Sequence, residues 1–476
     1  MTDSPRTDMP IDSIRVLIVT PDTLGRRMGG PAIRAWEIAK RIASLTDVRL
    51  VSIKGASISH PSFPVFAADE DELRGHVDWA DVVIGQGEVF SLNPWLVDSS
   101  AIIVVDAYDP LHLEVLESGK DEGEAERKFL VEYCIDMLTT QLRRADYVIC
   151  ASEKQRDFWL GHLGSLGRIS PENYDADQSL RALIDVVPFG VSGDEAVQTR
   201  HGIRDAMEGI DHDDKVIIWG GGVYNWFDPL TLVRAVHQLS QRRPTVKLFF
   251  LGMKYPNPDV HESRMAVDTL QLAEELGLVD THVFFNADWV DYDDRINYLL
   301  DADVGVSTHS NHIETAFSFR TRILDYLWAG LPVVATDGDG FASIIRDNGL
   351  GAVVPPADVD ALASALEEIL FESDNATMSA DVCQFAKQLT WDHALAPLID
   401  FLHKPVHAAD YPASRAQSID AHRLRHIESL EAKILQLDSA NNEMSQAVDE
   451  LERLQRSTSW RITSPIRALG RALRRG

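Results

Sequence analysis

Cysteine is scarce in this chain. Only Cys134, Cys150 and Cys383 occur among 476 residues, without CxxC or paired spacing. That excludes a disulfide scaffold and a zinc ribbon, and it suits a reducing compartment. No apolar run reaches the roughly 18–20 residues that span a bilayer. The opening stretch, MTDSPRTDMPIDSIRVLIVTPD, lacks the basic-then-apolar order of a signal peptide. A cytoplasmic protein without a spanning anchor is therefore expected. Positive charge is also short: 45 Lys and Arg face 74 Asp and Glu, a net −29. A bulk charge of that sign repels phosphate backbones, so no nucleic-acid partner is expected. What is present is 45% hydrophobic and 25% charged residues, the balance of a soluble globular enzyme. The length predicts two large domains with additional pieces.

Residues 14–20, IRVLIVT, form a continuous apolar run rich in β-branched residues. A strand buried on both faces of a parallel sheet reads this way. A Gly-containing loop follows, then a helical pattern from about Ile33 to Leu45. Further short apolar runs stand at Val48–Ile53, Val82–Ile84, Ala101–Val105, Tyr147–Ala151 and Ile184–Val187, most of them separated by helical patterns. Such alternation predicts an open α/β sheet wound by right-handed crossovers. After a polar stretch at 192–214 the pattern restarts at Val216–Trp219. It continues through Lys247–Gly252, Val283–Phe285, Val304–Ser307, Val333–Thr336 and Ala352–Val354. The expected organisation is a first lobe over 1–195, a second over 196–390, a crossover helix over 391–404 and a linker over 405–426.

From Ile427 the apolar spacing becomes 3,4,3,4. Ile427, Ile434, Asn441 and Val448 take a positions; Leu430, Leu437, Met444 and Leu451 take d positions. β-Branched a positions with one Asn favour a parallel two-stranded coiled coil, hence a homodimer through 427–456. The alternative is a single amphipathic helix on the protein's own surface. Residues 457–476, STSWRITSPIRALGRALRRG, hold five Arg and no acid, leaving 40 basic against 74 acidic residues elsewhere. A basic amphipathic helix beside Trp460 reads as an anchor on an anionic membrane surface, with a solvated tail as the alternative.

Two glycine clusters each follow the first strand of a lobe: Gly29-Gly30 and Gly220-Gly221-Gly222. Glycine lets backbone N–H groups approach an anion at a helix N-terminus. Neither cluster is GxGxxG, and Gly29-Gly30 alone also suits a simple turn. Together they predict a ligand in a cleft between facing lobes. The segment HIETAFSFRTRILDYLWAGLPVVATDGD, residues 312–339, adds Arg320 and Arg322, suited to bidentate bonds with a diphosphate. Surface salt bridges are the alternative use of these arginines. Asp325, one turn into the next helix, is placed to hold a ribose hydroxyl pair. No His/Cys cluster has metal-ligand spacing, and Asp301-Ala302-Asp303 opens a core strand, so no metal or cofactor is expected.

On LDYLWAGLPVVAT, with RVLIVTP…GGP, VVPFGV at 186–191 and NGLGAVVPPADVDALASAL at 348–366, residues 14–400 resemble the retaining GT-B glycosyltransferases of the large group that includes sucrose synthases and bacterial mannosyltransferases. The coil and tail resemble appendages of bacterial cell-envelope sugar transferases. The resemblance implies two Rossmann-like lobes, a nucleotide-sugar donor, and transfer of a hexose to a lipid-linked or glycan acceptor at the inner face of the membrane. It also implies a Glu-x7-Glu pair, the first on the donor sugar and the second on the ribose. Asp325 matches the second, but Phe317 stands at the first, and Glu314 lies three residues earlier. The family's Arg and Lys on the loop after the first strand of the second lobe are missing from GGGVYNWFDP. Arg320, Arg322 and Lys254 are the candidates to replace them. Where the family often has a histidine, VVDAYDPLHLE offers Asp106, Asp109 and His112 for the acceptor side; a satisfied surface or core histidine is the alternative for His112. A fold that has lost its chemistry and serves as a membrane-tethered scaffold is one alternative; a sugar-nucleotide epimerase is another.

Overall fold

The computed structural model describes residues 14–253, 263–286 and 288–411, together with 429–430, 432–441, 444–448, 453 and 460. The chain divides at Ala416–Gln417 into two units, and each is described by itself.

The first unit contains two parallel sheets. In the first lobe β1 (Arg15–Thr20), β2 (Asp47–Ser52), β3 (Val65–Ala67), β4 (Val82–Gln86), β5 (Ile102–Asp106), β6 (Tyr147–Cys150) and β7 (Ile184–Val186) lie in the order β3-β2-β1-β4-β5-β6-β7. In the second lobe β8 (Lys215–Trp219), β9 (Val246–Phe250), β10 (Val283–Phe285), β11 (Val304–Ser307), β12 (Val333–Thr336) and β13 (Gly351–Val354) lie in the order β10-β9-β8-β11-β12-β13. Val16, Leu17 and Val19 of β1, and Val216, Ile217 and Ile218 of β8, are wholly buried, as strands covered by helices on both faces require. Each chain order reverses beside its first strand, between β1 and β4 and between β8 and β11. Crevices for ligands open at the carboxyl ends of strands at such switch points. The two sheets are therefore what place the Gly29-Gly30 and Gly220–Gly222 loops on a common cleft.

The helices Trp391–Ala394 and Ala396–His403 return to the first lobe. Trp391 N–H donates to Val191 O at 3.1 Å, and the Phe401 ring stacks on Tyr147 at 4.3 Å. The chain stays on that lobe beyond 404. Arg168, only 2% exposed, donates to both carboxylate oxygens of Asp410, at 2.6 and 3.0 Å. Asp146 takes bonds from Ala408 N–H and His407, both at 3.1 Å. The expected linker therefore does not begin at 405: residues 405–411 supply Arg168 with a counter-ion that a buried guanidinium needs.

In the second unit, described residues between 429 and 448 are helical, and the a and d side chains Leu430, Ile434, Leu437, Met444 and Val448 are exposed. The a/d positions Ile427 and Leu451, and the tail apart from Trp460, lie outside the described residues. No helix among those described is long and apolar enough to cross a membrane.

Candidate functional site

A cleft of about 1000 Å³ runs between the lobes. The second-lobe wall is built on a tyrosine. Tyr326 lies buried under the sheet because Gly305, in β11, has no side chain: a Cβ there would come within 2.3 Å of the Tyr326 ring. The Tyr326 hydroxyl accepts from Gly220 N–H at 2.7 Å and donates to Val306 O at 2.9 Å. One side chain thus ties the glycine loop to the middle of the sheet. Gly221 turns that loop with φ +78°, a conformation that side chains disfavour.

Arg322 comes from the helix Thr321–Trp328 and passes beneath the loop. Its Nη2 donates to Gly222 O at 2.8 Å, and its guanidinium carbon lies 3.9 Å from the centre of the Phe227 ring and 4.3 Å from that of Trp219. Nη1 is buried with no hydrogen-bond partner. Burial pulls the Arg322 pKa down to about 10, with the Arg320 charge adding to the fall. Arg322 is thus a desolvated cation on the cleft wall with no carboxylate bonded to it.

Arg320 has a different occupation. It bonds Glu314 twice, Nη1–Oε1 at 2.9 Å and Nη2–Oε2 at 2.7 Å, and both residues are buried. This corrects two expectations. Most of the Arg320 charge is spent inside the protein, although its Nε is unpartnered and the residue lines the cleft. Glu314, with no exposure, is held by Arg320 and does not line the cleft. Phe317, at the position of the absent glutamate, packs on Phe158 of the first lobe at 4.7 Å, and its carbonyl accepts from Gln155 Nε2 at 2.8 Å. Asp325 lines the cleft and accepts from Arg295 Nε at 3.2 Å; Arg295 itself is sandwiched against Tyr292 and Trp328, at 3.8 and 5.1 Å.

The first-lobe wall is acidic. Asp109 and Glu114 share a hydrogen bond and both line the cleft. Burial pushes Asp109 up to about 6, with the Glu314 charge adding to the rise; the Glu114 bond and Arg320 oppose it. Burial and the Asp109 charge push Glu114 well above the usual carboxylate range. Asp106 does not line the cleft. It ends β5 in a bidentate pair with Arg34, Nε–Oδ2 at 2.6 Å and Nη2–Oδ1 at 2.9 Å, and Arg34 also donates to Val187 O. His112 is likewise off the wall, stacked on Phe158 at 5.5 Å, and burial pulls it down to about 4. Gly30 lines the cleft, while Gly29 caps the helix Gly30–Ile42. Lys254 lies outside the described residues. Asp301 and Asp303 serve the backbone, accepting from Ile203 N–H at 2.7 Å and Val216 N–H at 2.8 Å.

Arg295, Glu114 and Tyr326 belong to the site but were not anticipated. Arg295 sits among aspartates in DYDDRINY, which in sequence reads as a solvated surface helix. Glu114 at i+3 and Val115 at i+4 share a face with Leu111, a spacing that was available to find it. Tyr326 next to Asp325 carries no sign of reaching Gly220, 106 residues away.

Residues 214–372 match the protein family described as "Glycosyl transferases group 1". Among curated proteins, the D-inositol 3-phosphate glycosyltransferase of Mycolicibacterium smegmatis is 26% identical over 247 residues, 52% of this chain and 50% of that protein. The protein of the same name from Saccharomonospora viridis is 26% identical over 243 residues, 49% of this chain and 54% of that one. The chain thus spans about half the length of the curated relatives it matches. Among solved structures, sucrose-phosphate synthase from Thermosynechococcus elongatus superposes with a TM-score of 0.58 at 15% identity, over 82% of this chain and 98% of that one. WaaG, a glycosyltransferase involved in lipopolysaccharide biosynthesis, gives 0.57 at 17%, over 83% and 100%. Anabaena HepE in complex with UDP-glucose gives 0.58 at 15%, over 82% and 99%. The fold is the two-lobed GT-B fold.

Proposed function

We propose that the chain is a retaining glycosyltransferase that moves a hexose from a nucleoside-diphosphate sugar to a hydroxyl of a lipid-linked or glycan acceptor. The observation that carries this reading is Arg322: a buried cation with a free Nη1, on a cleft wall it shares with a glycine loop. A buried charge without a partner is costly, and an anionic ligand removes the cost. As the anomeric carbon leaves the diphosphate for the acceptor oxygen, negative charge grows on the departing group. Arg322, the free Arg320 Nε and the Gly220–Gly222 amides are the groups to meet it, without a metal ion. Asp325, oriented by Arg295, is the ribose candidate. The HepE structure was solved with UDP-glucose, which makes UDP the first nucleotide to try.

Calorimetric titration with UDP, GDP and dTDP tests the reading, followed by NMR of the product anomer, which must match the donor's. A chain that binds none of the three is not this enzyme. Nucleotide binding without transfer would favour a degenerate scaffold, a reading supported by Phe317 at the position of the first glutamate and by the capture of Glu314.

The appendages extend the proposal to cell-envelope or surface-glycan synthesis by a dimer resting on the inner face of the membrane. The exposed a/d side chains of the described helix suit a second copy. Sedimentation should give a dimer for the full chain and a monomer for one ending at Ala416; equal mass per particle in both rejects the coil. Flotation on anionic vesicles should fail when 457–476 are removed; equal recovery rejects the anchor.

A further inference from the structure

The cations that line the cleft all come from one lobe, which also contributes Asp268 and Asp325. Among the described residues, every charged one contributed by the first lobe is an acid: Asp109, Glu114, Asp121 and Glu122. Every cation on the lining comes from the second lobe: Arg264, Arg295, Arg320 and Arg322. The cations around the acidic wall are already engaged. Lys120 is paired with Glu117. Arg264 reaches Asp121 at 3.3 Å and Asp268 at 3.6 Å. Arg127 donates to Leu116 O, and Arg34 is locked to Asp106.

The free N–H groups of Arg320 and Arg322, both residues over nine-tenths buried, fix the end of the cleft that takes an anion. The co-substrate then meets the opposite wall. There Leu111, Glu114 and Val115 share one face of the helix Leu111–Ser118, so a carboxyl group stands between two aliphatic side chains. A sugar or polyol offers the matching surface: hydroxyls that donate to carboxylate oxygens, and C–H faces that cover aliphatic carbon. A phosphate on the acceptor would bring negative charge against Asp109, where the neighbouring cations Arg264 and Arg320 already hold Asp121 and Glu314, and like charges brought together are rejected.

We propose that Asp109 and Glu114 select an uncharged, polyhydroxylated acceptor, a glycosyl or polyol group whose reacting end carries no phosphate or carboxylate, by accepting hydrogen bonds from its hydroxyls. This rests on the donor reading above. It deepens it by assigning the acceptor class and the two residues that choose it.

The test uses the full chain with whichever of UDP, GDP and dTDP binds, and the corresponding sugar nucleotide. Methyl α-glucoside, methyl α-mannoside and myo-inositol are compared with glucose 6-phosphate, mannose 6-phosphate and inositol 3-phosphate, both for transfer and for binding to the nucleotide-loaded protein by saturation-transfer NMR. The neutral set should be preferred by at least about tenfold. Equal or better use of the phosphorylated set overturns the proposal, as does failure of the neutral set to bind while nucleotide still binds. Absence of any nucleotide binding instead strikes the donor reading and takes this one with it. Asp109→Asn and Glu114→Gln should each raise the acceptor KM about tenfold and leave nucleotide affinity within about twofold, which also shows that the variants fold. An unmoved acceptor KM in both variants overturns the assignment. Glu122→Lys, at the exposed rim, should narrow the preference against phosphorylated acceptors.

Discussion

Each lobe holds one buried bidentate ion pair at or behind its side of the cleft, and each presents titratable groups left without a counter-ion. On the first lobe the pair is Arg34–Asp106 and the uncompensated groups are Asp109 and Glu114. On the second the pair is Arg320–Glu314 and the uncompensated group is Arg322. The pairs are structural, because a buried ion with its partner in place has little to gain from a ligand. The groups without a counter-ion are where a ligand lowers the free energy: the Arg322 guanidinium on one wall, and on the other the Asp109 carboxyl, hydrogen-bonded to Glu114. A molecule that enters with a diphosphate at one end and a hydroxyl partner at the other meets both needs.

The largest effect should come from breaking a pair. Arg320→Ala leaves Glu314 buried without its partner, which costs about 3–5 kcal/mol of stability. Arg34→Ala, leaving Asp106, should cost a similar amount. Thermal unfolding measures both. Glu314→Gln/Arg320→Met should recover most of the loss, since removing a whole buried pair is often neutral. An unchanged Tm for Arg320→Ala would mean that the two walls are not built alike.

Arg322→Ala should show the opposite signature. It orphans no carboxylate, so stability should fall less than in Arg320→Ala, while nucleoside diphosphate affinity falls by about 1.5–3 kcal/mol, or about 10–150-fold. Arg322→Lys keeps the charge but loses the planar stack on Phe227 and Trp219, and should lie between. Wild-type affinity for UDP, GDP and dTDP in Arg322→Ala would remove the donor site from this wall.

The acidic wall is tested by pH. Asp109 accepts from a hydroxyl most strongly when ionised, and its folded pKa is pushed up to about 6. Transfer should therefore rise as pH climbs through about 6, by close to tenfold per pH unit on the acid side, and Asp109→Asn should lose that limb. The same shift has a stability consequence. An unfolded carboxyl ionises near pH 4, so between about 4 and 6 the folded chain binds more protons than the unfolded one. Asp109 thus makes stability fall as pH rises through that window, and Asp109→Asn should flatten the fall. A rate profile flat from pH 5 to 7 would exclude Asp109 from the acceptor side.

The sheets were readable because buried parallel strands are uninterrupted apolar runs, as in IRVLIVT. β3 was not readable: it is three residues long and only partly buried, so it leaves no run to detect. The glycine loops and the helix carrying Arg322 and Asp325 were readable for the same local reason. The division of labour between Arg320 and Arg322 was not, although a clue existed. Residues two apart at a helix start do not face each other, so two such arginines need not share one partner. Which of them faced Glu314 depended on the path of residues 312–320, and that path is a tertiary fact. The pairs Arg34–Asp106 and Arg295–Asp325 join residues 72 and 30 positions apart. Nothing in local spacing announces them, and they decided the fate of Asp106 and the support of Asp325.

The smallest effect belongs to the rim, where the two walls touch. Asn225 Nδ2 donates to Asp121 Oδ2 at 2.9 Å, and Arg264 Nη1 lies 3.3 Å from Oδ1. Asn225 and Arg264 belong to the second lobe and Asp121 to the first, so this cluster favours the closed cleft. The Arg264 side chain is 67% exposed, and an exposed pair contributes only about 0.2–1 kcal/mol. Elsewhere, closure is held by better-sheltered bonds: Trp289 Nε1 to Met28 O at 3.0 Å and Tyr292 N–H to Arg26 O at 2.8 Å. Asp121→Ala should therefore leave Tm unchanged and raise the donor KM by no more than about fivefold. Because the Arg264 contribution is electrostatic and exposed, the difference between Asp121→Ala and wild type should shrink in 0.5 M salt. A loss far above fivefold that salt does not diminish would give Asp121 a direct contact with substrate, and would extend the acidic wall's selective groups from Asp109 and Glu114 out to the rim.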